Sequence, residues 1–150
     1  MAYLKRIGHL VLNVRDLEAS TKFYTETLGF EVARSYNEKM MFLSCGKIHH
    51  DLALFQAAPD APPITPGALG LNHMALQVEN WDMLREYYHR LNELGVEIDR
   101  TTDHGMTRSI YLKDPDGNGI ELFCNSQEDP VDGRDVMRTQ ETLAWELVII

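Results

Sequence analysis

The sequence predicts an α+β fold in which two tandem βαβββ modules form a curved mixed sheet. The main observation is an internal repeat. The segment GHLVLNVRDLEASTKFYTETLGFEV recurs as NHMALQVENWDMLREYYHRLNELGVEI, and DLALF later matches GIELF, with an offset that grows from 64 to 68 residues. Such self-similarity indicates two copies of one structural unit. The second observation is that each copy changes from strand-like alternation to helical spacing of its apolar residues.

The first two elements of each copy are predicted to be a strand and a helix. Residues 7–14 and 71–78 alternate and contain β-branched residues, which is typical of strands. Asp16 and Asn80 follow, and their side-chain oxygens can accept hydrogen bonds from the first free amides of a helix. Apolar residues then recur at helical spacing in both copies, so a helix follows each first strand.

Three strands complete each copy. Gly29 and Gly95 are predicted to end the helices, because glycine adopts a left-handed conformation at low cost. In the second copy the strands are predicted at Val96–Asp99, Ser109–Lys113 and Gly119–Cys124. The run DPDGN between the last two strands has the residues of a tight hairpin turn.

The chain of 150 residues is predicted to be a single domain. Module one covers about residues 3–58, a linker 59–69, module two about 70–126 and a C-terminal tail 127–150. The linker region AAPDAPPITPGALG has four prolines in fourteen residues and should be semi-stiff. The tail is polar and then ends on apolar residues, which could cover a sheet edge, dock on a partner chain or pack on their own domain.

Composition excludes some classes of partner. The chain has 14 Lys and Arg against 23 Asp and Glu, a formal net charge of −9. This balance argues against nucleic acid or an anionic membrane as a partner. The two cysteines follow no secretory signal, and no apolar run reaches the roughly 18 residues of a membrane span, so a cytoplasmic location is predicted.

Three residues at matching places of the repeat predict a metal site. His9 and His73 occupy equivalent positions in the first strands, and Glu121 lies in the last strand of module two, where module one has Ala53. Pairing of the modules would bring both histidines to a shared cleft, and an unpaired carboxylate in an apolar core would be costly. Two imidazoles and one carboxylate can hold a divalent metal with one face open. The alternative is that these are ordinary strand residues.

The chain resembles the vicinal oxygen chelate superfamily. The motifs that carry the resemblance are GHLVLNV, FYTETLGFEV, LNHMALQV and IYLKDPDGNGIELF, and it covers roughly residues 4–126. Members include glyoxalase I, fosfomycin and bleomycin resistance proteins and the type I extradiol dioxygenases. Their paired βαβββ modules around a metal-binding cleft agree with the elements predicted above.

The resemblance implies a metal with three protein ligands. Glyoxalase I-like proteins usually supply a ligand from the last strand of both modules, and Ala53 has no ligand atom. The ligands would be His9, His73 and Glu121, which is the facial triad of non-haem Fe(II) oxygenases. Fosfomycin resistance proteins use the same ligand types with Mn(II), so Mn(II) remains the alternative metal.

The same resemblance implies three catalytic residues. His50, in KIHHDLA, is at the position of a catalytic histidine of extradiol dioxygenases, and Tyr111 precedes Glu121 by the ten residues seen in that group. His104 lies seven residues before Tyr111, closer than in the larger enzymes. His50 would transfer protons and stabilise reduced oxygen, while Tyr111 and His104 would orient the substrate hydroxyls. The alternatives are that His50 only begins a strand, that Tyr111 is a half-buried core residue and that His104 lies in a surface loop.

These implications lead to a function. The resemblance favours an Fe(II)-dependent extradiol dioxygenase that acts on a catechol-type aromatic diol with O₂. The larger enzymes have four modules, so a chain with two is expected to form a homo-oligomer that supplies missing pocket walls. Two rivals remain: a Mn(II)- or Zn(II)-dependent glyoxalase or thiol transferase, and a metal-free resistance-type protein that binds an aromatic ligand.

Overall fold

The computed structural model describes residues 3–126, 137–139 and 144–149. The chain divides into two compact units, residues 1–64 and 65–150. The first unit contains module one, and the second contains module two with the described part of the tail. No helix in the described ranges is long and apolar enough to span a membrane.

Module one folds as strand, helix and three strands. Its elements are β1 (Leu10–Val14), α1 (Leu17–Lys22) with a π-helical continuation (Phe23–Thr27), β2 (Glu31–Tyr36), β3 (Met40–Ser44) and β4 (Leu52–Gln56). The predicted cap is confirmed, since Asp16 Oδ1 accepts a hydrogen bond of 3.0 Å from the Ala19 amide. The sheet order is β1-β4-β3-β2, with β1 parallel to β4 and antiparallel pairing elsewhere.

Module two repeats this order and adds one strand from the tail. Its elements are β5 (His73–Gln77), α2 (Trp81–Glu93), β6 (Ile98–Asp103), β7 (Thr107–Lys113), β8 (Gly119–Asn125) and β9 (Trp145–Glu146). Asn80 caps α2 as predicted, accepting from the Met83 amide at 2.9 Å. The sheet order is β5-β8-β7-β6-β9, and β5 is parallel to β8.

The predicted α+β class with two βαβββ modules is confirmed, and the strands form two mixed sheets, one in each module. The registers also support the repeat alignment, because Val11 pairs with Ala53 in module one and Ala75 pairs with Glu121 in module two. Each helix buries an apolar stripe on its own sheet. The fully buried side chains include Tyr24, Leu43, Leu52 and Leu54 in module one and Leu84, Leu91, Ile110 and Ile120 in module two.

Strand ends differ from the sequence prediction by a few residues. The first strands are shorter than predicted, because they last only as long as their parallel pairing with β4 and β8, which covers five residues in each module. The strand predicted at Val96–Asp99 begins at Ile98 and continues to Asp103, since it pairs along most of β7 through a bulge. Pairing partners decide these limits, and local residue patterns carry little information about them.

The DPDGN turn forms as predicted and fixes the register of the β7–β8 hairpin. Asp114 Oδ1 accepts hydrogen bonds from the Asp116 and Asn118 amides at 3.0 and 2.8 Å. Gly117 has a φ of 91°, a conformation that glycine adopts without strain. The turn thereby places Tyr111 directly opposite Glu121.

Residues 145–147 of the tail cover an edge of the sheet in module two. Strand β9 pairs antiparallel with β6, with Trp145 opposite Asp103. Thr101 Oγ1 also donates to the Leu147 carbonyl at 2.5 Å. Of the alternatives predicted for the tail, the structure shows that these residues pack on their own unit. They cover the otherwise unpaired edge of β6. Residues 127–136, 140–143 and 150 lie outside the described residues.

Candidate metal and substrate site

The carboxylate of Glu121 is the centre of a hydrogen-bonded cluster in module two. The residue is 9% exposed. Its Oε1 accepts from Ser109 Oγ at 2.6 Å and from the Tyr111 hydroxyl at 2.9 Å, and its Oε2 lies 3.1 Å from His73 Nε2. A carboxylate this buried is costly unless hydrogen bonds or charges compensate it. The hydroxyl groups of Ser109 and Tyr111 on β7 do so here.

Sheet register brings these side chains to one face. Tyr111 on β7 and Ala75 on β5 are the direct partners of Glu121. His73 is two residues before Ala75, so its side chain lies on the same face of the sheet as Ala75. At Gly119, opposite His73, a Cβ atom would lie 2.5 Å from the Asn72 carbonyl oxygen. The glycine therefore permits the close approach of β8 to the start of β5.

His73 is oriented as a metal-binding histidine would be. Its Nδ1 lies 2.8 Å from Asn72 Oδ1, and an Nδ1–H group that donates to this amide oxygen leaves Nε2 available as a metal ligand. Nε2 lies 3.1 Å from Glu121 Oε2, a separation at which one cation could contact both atoms. Ligands at adjacent octahedral positions about 2.1 Å from a metal lie about 3.0 Å apart. Histidine and glutamate therefore fit a divalent ion at this place.

Tyr111 links the carboxylate to His104. Its hydroxyl donates to Glu121 Oε1 and lies 2.8 Å from His104 Nε2. Burial, followed by the hydrogen bond and charge of Glu121, raises the pKa of Tyr111, so the phenol is protonated at neutral pH. His104 itself is held by its backbone amide, which donates to the Thr107 carbonyl at 2.8 Å. Arg100 lies over the tyrosine ring, 3.8 Å from the centroid.

In module one, His9 and His50 lie side by side. His9 immediately precedes β1 and His50 lies two residues before the parallel strand β4. A hydrogen bond of 3.0 Å from the Leu10 amide to the Asp51 carbonyl holds these two strand starts together. The two imidazole rings are 4.5 Å apart. The pKa of His50 is lowered by burial and by the neighbouring His49 and His9, which favours the neutral imidazole.

Module one replaces the Tyr111–Glu121 pair by an apolar pair. Phe42 lies directly opposite Ala53, as Tyr111 does opposite Glu121. Ala53 is 1% exposed, and the Phe42 ring packs edge-on against His50 at 5.1 Å. The alanine is therefore part of a wider change in which the carboxylate and its hydrogen-bond donor are both absent from this position.

Sequence reasoning identified Ala53 but missed Phe42. Tyr111 precedes Glu121 by 10 residues, whereas Phe42 precedes Ala53 by 11. The different loop lengths break the alignment of the third strands, and only strand pairing restores it. Ser109 and Asn72 were also missed, because a hydroxyl and an amide have no distinguishing sequence pattern.

The predicted site residues thus fall into two groups. His73, Glu121, Tyr111 and His104 are joined in module two, and His9 and His50 are joined in module one. The described residues contain no group of three His, Cys, Asp or Glu side chains close enough together to hold a metal ion.

The comparisons with known proteins agree with the family resemblance that the sequence motifs indicate. The family model described as the Glyoxalase/Bleomycin resistance protein/Dioxygenase superfamily matches residues 6–122. Biphenyl-2,3-diol 1,2-dioxygenase 3 of Rhodococcus globerulus is 34% identical over 94% of this chain and 74% of its own length. Metallothiol transferase FosB of Staphylococcus saprophyticus is 28% identical over 86% of this chain and 83% of its own length. A glyoxalase/dioxygenase crystal structure from Nostoc punctiforme superposes with a TM-score of 0.71 and 23% identity, covering 83% of this chain and 94% of that one.

Proposed function

Because the chain belongs to the Glyoxalase/Bleomycin resistance protein/Dioxygenase superfamily, we propose that it is an Fe(II)-dependent extradiol dioxygenase that cleaves a catechol-type ring with O₂. The observation that carries the proposal is the carboxylate of Glu121, which faces His73 at 3.1 Å and is bonded to Tyr111. The 34% identity to a biphenyl-2,3-diol dioxygenase supports the same reaction class.

In this proposal His9, His73 and Glu121 hold the metal, with Fe(II) as the expected ion and Mn(II) as the alternative. When bound, the metal supplies positive charge that favours loss of the diol protons and a path for electrons from the diol to O₂. The protein fixes the ligands beforehand, since Asn72 orients His73 and Ser109 orients Glu121.

The remaining polar residues handle the substrate and its protons. The Tyr111 hydroxyl and His104 Nε2 form a connected pair that can bind and orient the diol oxygens. The lowered pKa of His50 favours the neutral imidazole, which can accept a proton from a diol hydroxyl and return it to the reduced oxygen later. Phe42, packed against the ring of His50, restricts its orientation.

A thiol transferase is the second candidate. The 28% identity to a metallothiol transferase favours it, and that reaction is also compatible with two histidines and one glutamate. A glyoxalase with a carboxylate from each module fits less well. Ala53 is buried opposite Phe42, and neither residue offers a ligand atom or a donor to orient one.

One experiment separates these functions. The protein is loaded anaerobically with Fe(II) and mixed with catechol or 2,3-dihydroxybiphenyl, and then O₂ is admitted. A yellow ring-cleavage product with oxygen uptake supports the dioxygenase. Thiol-dependent turnover with Mn(II) or Zn(II) and no oxygen uptake supports the transferase. Binding of an aromatic ligand by protein that binds no metal supports a resistance-type binding protein.

Two further features of the proposal concern the whole protein. A homo-oligomer would supply pocket walls that larger relatives take from extra modules, and a fully active monomer in sedimentation would contradict this. The cytoplasmic location remains a prediction from the sequence.

A further inference from the structure

Module one contains a cavity that is continuous with His50. Its volume is about 510 Å³, within the range of small-molecule sites. The side chains that line it include Arg34, Tyr36, Met40, Phe42, His49 and His50. Most of this wall is aromatic or apolar, so it suits an aromatic ring. Arg34 is the one lining residue with a permanent positive charge.

A β-bulge determines where Arg34 lies. The pairing of β2 with β3 shifts register between Val32 and Arg34, which places Arg34 opposite Phe42. Module two has the same bulge between Ile98 and Arg100, which places Arg100 opposite Tyr111. Bulges re-aim side chains and often occur beside active sites. The segments GFEVAR and GVEIDR therefore present equivalent arginines to equivalent strands.

The two arginines have different surroundings. The guanidinium of Arg100 stacks on Tyr111 at 3.8 Å, whereas that of Arg34 lies 5.8 Å from the centroid of the exposed Tyr36 ring, near the limit of a cation–π contact. Over the ranges that the structure describes, no carboxylate forms an ion pair with Arg34, although the chain carries a net charge of −9.

We propose that Arg34 binds a carboxylate on the substrate, so that the preferred diols are catechols that carry a carboxylate on the ring or on a short side chain. This inference rests on the proposed dioxygenase function. A guanidinium presents two parallel N–H donors that match a carboxylate, and such charge-assisted pairs are about twice as strong as neutral hydrogen bonds. The aromatic wall would hold the substrate ring beside His50, while Arg34 binds the carboxylate substituent.

The test compares Arg34→Met with Arg90→Met. Methionine keeps much of the apolar stem and removes the charge. Arg90 is an exposed residue of α2 in module two, and Arg90→Met changes the net charge by the same amount as Arg34→Met. With the Fe(II)-loaded protein, Arg34→Met should lower kcat/KM for 3,4-dihydroxybenzoate by about 10–100-fold and change that for catechol by less than about 3-fold. Arg90→Met should leave both values unchanged.

A second readout is independent of the metal. In the metal-free protein, 3,4-dihydroxybenzoate should shift the NMR resonance of the Arg34 side-chain Nε–H group, and catechol should not. If the protein cleaves catechol but shows no preference for 3,4-dihydroxybenzoate that depends on Arg34, this inference is overturned and the proposed dioxygenase function is unaffected. Failure to cleave any diol, with a carboxylate-specific Arg34 shift, overturns the proposed reaction and supports the anion site. Absence of that shift overturns the anion site.

Discussion

The hydrogen bond between Tyr111 and Glu121 should couple these residues strongly in the metal-free protein. The structure itself supplies the comparison, because module one has Phe42 and Ala53 at the equivalent paired positions. We therefore consider the single variants Tyr111→Phe and Glu121→Ala and the double variant that reproduces the apolar pair of module one.

The expected magnitude follows from burial and charge. Tyr111 is 7% and Glu121 is 9% exposed, so water cannot readily replace a lost partner. Tyr111→Phe removes one of the two donors to Glu121 Oε1, and a hydrogen bond to a charged group contributes about 1.5–3 kcal/mol. For a chain of this size that loss lowers Tm by about 3–12 °C. In the Glu121→Ala background the same change should cost much less, because no buried carboxylate remains to be solvated.

The measurement is a double-mutant cycle of the free energy of unfolding in denaturant, with chelator present. The coupling between the two substitutions should be about 1.5–3 kcal/mol. A matched cycle with Tyr3→Phe, whose side chain is 88% exposed, should give coupling within about 0.5 kcal/mol. A coupling below about 0.5 kcal/mol for Tyr111 and Glu121 would refute the account of a stabilising buried hydrogen bond.

Three further predictions follow from the site. His50→Ala should leave iron bound but slow ring cleavage by about 10²–10⁴-fold, and loss of iron in metal analysis would instead make His50 a ligand. Asn72→Ala should weaken iron binding by about 10–100-fold in chelator competition, because it frees His73 to rotate, and unchanged affinity would contradict that role. Gly119→Ala should lower stability by about 1–3 kcal/mol, since its Cβ would meet the Asn72 carbonyl at 2.5 Å. Gly8→Ala, with open space around its Cβ, is the control, and equal effects of the two substitutions on thermal unfolding would argue against the close approach.

Local sequence signals predicted the elements and their caps well. Asp16, Asn80 and the DPDGN turn act through atoms within a few residues, so the chain next to them suffices to identify them. The ends of the strands were predicted less well. They depend on partners far along the chain, as the extension of β6 to Asp103 and its pairing with β9 illustrate.

The candidate site divides in the same way. The repeat singled out His9, His73 and Glu121 because matching positions of a duplicated module are visible in a single sequence. The residues that hold those side chains in place were not visible. Ser109 reaches Glu121 only because β7 and β8 pair in one register.

The sequence by itself determined that two copies of one module carry unequal sets of candidate metal ligands, with Ala53 where a second carboxylate would be. Tertiary structure decided what this inequality means. It shows that Phe42 replaces Tyr111 opposite the missing carboxylate, and that Arg34 is directed to a cavity beside His50. The physical reason is that the sequence specifies which residue stands at each position. Hydrogen-bond partners and cavity walls depend instead on which residues the strand register places side by side.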